Sequence, residues 1–263
     1  MRRPSFALAL TLTLAVVSAG CLRSTTVVDL KPDGSGTIVQ ETALTAQALS
    51  MIKSMGNANE PGGKAGDIFD EQQARTAAAA MGVTFVSGEP FKANEMEGYR
   101  ARFSFDDITK VKVNMSQNAN MTGGTSKEPP FSFAFDRGAA SSLLTIQMPQ
   151  QSTSKLMPQL PGAGNATDPA EKAQAAQALT MMKMMMRGLF VDVTLNVNGR
   201  ILKSNAPYVE GTRITLMQID FDKLLADAGA LERLQGASDL KAMANVPGLK
   251  VVSEPKLTIE IAR

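Results

Sequence analysis

The chain has no histidine and no tryptophan, and it holds one cysteine and two tyrosines in 263 residues. Each shortage removes a chemistry. Without histidine, neither Ser-His-Asp nor Cys-His catalysis can be assembled, and zinc loses its usual nitrogen ligand. A single cysteine cannot close a disulfide within the chain or build a thiolate metal site. Tyr99 and Tyr208, with no tryptophan, leave little from which to build an aromatic platform for sugars or single-stranded nucleic acid. Past residue 21 no apolar run approaches the 18 or so residues of a spanning helix. Only carboxylate or lysine chemistry stays open to an enzyme.

What is present starts at the amino terminus. Arg2 and Arg3 precede an apolar stretch from Phe6 to Val17, which is followed by the small residues Ser18-Ala19-Gly20. Charge, apolar segment and small residues in that order make a secretory signal peptide, and the apolar part is too short to span a bilayer. Cys21 comes next. Its place resembles the lipobox of bacterial lipoproteins, which implies cleavage of residues 1–20 and a diacylglyceryl thioether on Cys21. Further acylation would make the anchor stable, because one chain alone binds a membrane only marginally. The resemblance places residues 21–263 in the bacterial cell envelope, held to a membrane through Cys21. Leu22 is not the aspartate that resembles an inner-membrane retention signal, so an outer membrane is the expected site where the cell has one.

Processing also changes the charge. The full chain carries 27 Lys+Arg against 25 Asp+Glu, and loss of Arg2 and Arg3 leaves 25 of each. The body then has no net basic character to draw it to nucleic acid or to anionic headgroups.

Residues 21–263 read as one α+β domain, a mainly antiparallel sheet built from hairpins with helices packed on one face. Thr25–Leu30 and Thr37–Thr42 flank Asp33-Gly34, whose glycine accepts the positive φ of a hairpin turn. Helices are expected over 46–55 and 69–81, and strands over 83–86 and 99–105, with Val111 and Val113 in a further short strand. Phe131–Phe135 alternates and pairs with Leu143–Met148. The last third reads as helix 169–187, strands 189–197, 200–204 and 212–219, short helices within 220–245, and a final strand 256–262. Asn198-Gly199 is expected to be a second hairpin tip. Stretches near 115–130 and 150–167 read as mobile surface loops.

The strand after Cys21, the Asp33-Gly34-Ser35-Gly36-Thr37 turn, Gly82-Val83 and the run from Gly98 to Asp107 together resemble LppM-type bacterial lipoproteins. That resemblance implies an α+β fold with a hydrophobic cavity and a role in binding envelope lipids.

Methionine is the oddity of the body. Asp168, Pro169 and Glu171 form a helix start with an N-cap, a first-turn proline and an acidic third position. Along that helix Met181, Met182, Met185 and Met186 join Ala175, Ala178 and Leu179 in an apolar arc wider than a surface helix needs to face a core. The arc serves either as adaptable core packing or as the lining of a site for a hydrophobic ligand, since methionine repacks around varied shapes. Copper(I) binding by the thioethers is chemically permitted, but the spacing spreads them around the helix.

Other candidates have structural readings. Asp33-Gly34-Ser35-Gly36 lacks the alternating carboxylates of a calcium loop. Asp106-Asp107 and Asp220 with Asp222 precede helical turns, where carboxylates cap, and Glu95 and Glu97 fall in an expected hairpin turn. The expected function is a non-enzymatic envelope lipoprotein that needs no metal or cofactor and binds a hydrophobic ligand. The competing expectation is a structural or assembly lipoprotein that contacts protein partners.

Overall fold

The computed structural model describes residues 22–50, 71–93, 95–113, 130–148, 186–227 and 246–263, with positions 177, 180 and 183 and short pieces at 229–230, 233–234 and 240–244. Two sheets form from strands with alternating burial. β1 (Leu22–Leu30) and β2 (Gly36–Thr45) make the first hairpin, with Val28 opposite Ile38. Its turn follows from Asp33, whose carboxylate accepts from the Ser35 amide at 2.9 Å and the Ser35 hydroxyl at 2.7 Å. Gly34 supplies the φ of +86° that the turn needs.

Helix α1 (Glu71–Met81) follows, then β3 (Thr84–Ala93) and β4 (Met96–Phe105). The β3–β4 hairpin is longer than the expected strand at 83–86, because pairing continues through Gly88 and Pro90. β3 ends the sheet's strand order, where a proline is tolerated. Its tip holds exposed Glu95 at φ +62°. Glu97 lies within β4, contrary to its expected place in the turn, and pairs with Lys92 at 2.6 Å. A 3₁₀ turn at Ile108–Lys110 is capped by Asp107, as expected.

The remaining strands are β5 (Ser132–Arg137), β6 (Ser141–Gln147), β7 (Phe190–Val197), β8 (Ile201–Ser204), β9 (Val209–Glu210), β10 (Arg213–Asp220), β11 (Leu249–Val251) and β12 (Lys256–Ala262). Short helices α2 (Phe221–Ala226) and α3 (Leu240–Met243) lie between β10 and β11, and the Asp220 carboxylate caps α2. Residues 46–50 are helical; the rest of the expected helix at 46–55 and the loops at 115–129 and 150–167 lie outside the described residues. Val111 is in no strand, and Val113 makes an isolated bridge to Phe131.

The first sheet runs β11-β10-β7-β1-β2-β4-β3, with β9 beside β10; the second runs β5-β6-β12-β8. Two expectations are corrected here. Among the described residues there are two sheets, not one. Among the described residues the pairing of β1 with β7 is parallel and the other strand pairs are antiparallel, which leaves the strands mostly antiparallel. Asn198-Gly199 is a corner and not a hairpin tip, since β7 belongs to the first sheet and β8 pairs with β12 in the second. The Asn198 amide donates to the Leu30 carbonyl at 2.7 Å, which continues the β1–β7 ladder through the corner.

One core joins both sheets and α1. Ile38, Phe103, Leu195 and Ile214 from the first sheet share it with Leu144, Ile146, Leu257 and Ile259 from the second and with Ala74, Ala78 and Met81 of α1. The second sheet therefore covers ground that helices were expected to fill. A smaller apolar cluster of Phe221, Leu224, Leu234, Met243, Val246 and Leu249 forms around α2 and α3.

Candidate functional site

Strand directions bring a set of chain positions to one end of the first sheet. β1, β7, β4 and β11 begin there, and β2, β3 and β10 end there. Arg23 aligns with Phe190, Leu22 with Leu44, Thr45 with Met96, Asp220 with Phe190, and Ile219 with Leu249. The Lys31–Ser35 turn marks the opposite end, where Arg137 donates to the Asp33 carbonyl and Ser142 to the Pro32 carbonyl.

The core-facing side of this sheet changes character along its strands. Toward the turn end the cross-strand rows are apolar: Val28–Ile38–Phe103–Phe85, and Leu30–Gly36–Phe105. Toward the β1-start end they become Thr26–Gln40–Ala101–Gly88 and Ser24–Thr42–Tyr99–Pro90. Ser24 and Thr26 are nevertheless buried, while Gln40, Thr42 and Tyr99 are half-buried. Gly88 makes room for Tyr99, because a Cβ there would clash with the tyrosine hydroxyl. Ser24, Gln40 and Tyr99 are each engaged with neighbours. Buried polar groups are retained where they are satisfied. These rows place neutral hydroxyl and amide groups, satisfied by their neighbours, against the core.

The opposite side of the same sheet carries charge. One ladder row runs Lys250–Gln218–Asp192–Thr25–Glu41–Arg100–Glu89 across seven strands. Arg100 meets Glu41 at 2.5 Å and Glu89 at 3.1 Å. Asp192 is buried, pairs with Arg213 at 2.8 Å and accepts from Gln218 at 3.4 Å. Burial pushes its carboxyl above the ordinary 3.8, and Arg213, Gln218, Lys250 and Arg23 only partly offset this. Neighbouring Thr194 has a buried hydroxyl without a partner among the described residues. Among the described residues no three carboxylates gather in a way that could hold a metal ion.

Of the residues singled out in the sequence, Cys21, Met181, Met182 and Met185 lie outside the described residues. Met186 is half-buried and packs, with Leu189, Ile219 and Leu225, against the smaller apolar cluster. That cluster lies beside the β1-start end, because α2 leaves the end of β10 there and the Phe221 amide donates to the Leu189 carbonyl at 3.0 Å. Arg23 stacks its guanidinium 4.4 Å from the Phe190 ring centroid at the same end. The sequence reading missed Asp192 and the polar inner rows. The signal available was the β1 alternation of Ser24 and Thr26 in phase with Val28 and Leu30.

No protein-family profile matches this chain, and no curated protein matches it. Among solved structures, the NMR structure of the folded domain of Mycobacterium tuberculosis LppM aligns over 93% of this chain and 91% of that one, with a TM-score of 0.37 and 11% identity. A likeness at that level carries no argument, so fold and function rest on this chain's own residues. No helix among the described residues is long and apolar enough to cross a membrane.

Proposed function

We propose that this chain is a bacterial envelope lipoprotein, anchored through an acylated Cys21 and without catalytic activity, whose folded body binds a lipid or another hydrophobic ligand. One observation carries the reading. A signal-type amino terminus ends at the chain's single cysteine, and the first strand begins at the next residue, Leu22. The dearth of nucleophile-activating groups supports a binding role, since no histidine exists to serve as a base. The methionine-rich stretch that ends at Met186 supports an apolar ligand, because thioethers adapt to varied shapes. Leu22, which is not an aspartate, favours the outer membrane where the cell has two membranes.

Native mass spectrometry of the body, purified in detergent without its acyl chains, tests ligand binding. The expected result is a protein ion carrying a co-purifying lipid mass that organic solvent removes. A bare protein ion under gentle conditions would leave the second reading, a structural lipoprotein with protein partners. Exposed Leu143 and Leu202 on the second sheet, at 38% and 45%, favour that alternative.

A further inference from the structure

We infer that the β1-start end of the first sheet is a membrane-contacting surface and that the body stands upright on the lipid with its Lys31–Ser35 turn pointing away. The inference rests on the acylated Cys21 proposed above. Adjacent Cα atoms are ~3.8 Å apart, so a lipid-bearing residue next to Leu22 leaves no slack between anchor and fold. β1 is the middle strand of the order β11-β10-β7-β1-β2-β4-β3, so the tether pulls on the centre of the sheet end and not on an edge. A tether at an edge would let the sheet lie down; one at the centre brings the neighbouring strand ends to the headgroups together.

The residues at that end fit a lipid surface. Leu22 and Met96 are half-buried apolar side chains beside the β3–β4 tip, and Ala93 is exposed there. Arg23 and Arg187 are exposed cations with no salt bridge among the described residues, and Lys183 is exposed one helical turn before Arg187. The local carboxylates are largely engaged: Asp220 with Lys223, Glu97 with Lys92, and Asp222 with the Gly188 amide. Among the described residues Glu95 is the exposed anion left over at this end. Free cations beside apolar groups complement anionic headgroups. The distance to the far end is set by β1, whose nine residues span roughly 30 Å at ~3.3 Å each.

Depth-dependent quenching on the full acylated protein tests this. An acylated Cys21 has no free thiol, so single cysteines at Lys92→Cys, Lys223→Cys and Lys31→Cys accept a fluorophore without competition. Lys92 and Lys223 are 77% and 69% exposed, so their replacement removes little packing, and the same probes in neutral vesicles separate the effect of the Glu97 and Asp220 carboxylates it frees. In vesicles of phosphatidylethanolamine and phosphatidylglycerol containing headgroup spin-labelled lipid, probes at 92 and 223 should be strongly quenched and the probe at 31 should not. Equal quenching at all three sites, or stronger quenching at 31, overturns the inference while leaving the anchor intact. Absence of quenching at all three, with an acylated mass, also overturns it, because the body would then swing free. A protein that carries no acyl mass brings down both the anchor reading and this one. Replacing Arg23 and Arg187 by glutamate should lower quenching at 223 in anionic vesicles and not in neutral ones; an equal effect in both would remove the role given to charge.

Discussion

Asp192 holds its carboxylate at the centre of the first sheet with 6% of the side chain exposed, and desolvation outweighs its arginine partner. The consequence for pH runs opposite to that of most carboxylates. With a folded-state pKa raised above 3.8, the folded protein binds more protons than the unfolded chain between 3.8 and the raised value. Stability from this residue is therefore present in full below 3.8 and is lost as pH rises through the raised value. Asp107, held below 3.8 mainly by the Thr109 amide and hydroxyl, acts in the usual sense and loses its contribution as pH falls through its lowered value. Urea unfolding of the wild type and Asp192→Asn across the acid range separates these contributions. The stability difference should favour the wild type more at low pH than at neutral pH, and a difference independent of pH would refute the shift. Asp220, by contrast, is a cap whose role was legible from its place before Phe221. Asp220→Ala should cost ~1 kcal/mol, read as a shift in the urea midpoint with unchanged slope. Asp192 was illegible because nothing in Phe190-Val191-Asp192-Val193 says which face of a central strand is covered.

The β1–β2 hairpin was legible because its turn chemistry is local: Asp33 closes the loop and Gly34 takes a left-handed φ. Gly34→Ala should destabilise by more than the ~1–2 kcal/mol of the backbone term alone, since the added Cβ would also meet Phe135 at 2.9 Å. Thermal unfolding measures it; a loss below ~0.5 kcal/mol would mean that the turn relaxes. Asn198-Gly199 misled because Gly199, unlike Gly34, does not take the positive φ of a hairpin turn. The same dipeptide chemistry allows any tight reversal, and whether the next strand pairs back depends on partners far along the chain. Here Ile201 pairs with Ile261, and Phe190–Val197 pairs with β1. No short-range pattern encodes a parallel pairing between residues 23 and 190. The extension of β3 through Gly88 and Pro90 was likewise hidden, because both residues read as breakers when their edge position is unknown.

For the whole molecule, the decisive feature is that both sheets and α1 share one core. Phe131 is fully buried in that core, one residue before β5. Phe131→Ala should lower stability by ~3–5 kcal/mol, and the loss should appear in a single transition by both circular dichroism and intrinsic tyrosine fluorescence. Two separated transitions would show the sheets to be independent units. Strand alternation was enough to predict an α+β body built on a sheet, but not that a second sheet would cover the first. The anchor was read from order alone: two arginines, an apolar stretch, small residues and Cys21.

The proposed anchor underlies both the envelope reading and the upright stance, and intact mass spectrometry of the protein from a membrane fraction tests it most directly. The account predicts a chain of residues 21–263 carrying a diacylglyceryl group on Cys21, with Cys21→Ser leaving residues 1–20 uncut. A membrane-free chain, or one cut elsewhere with an unmodified thiol at Cys21, would contradict it.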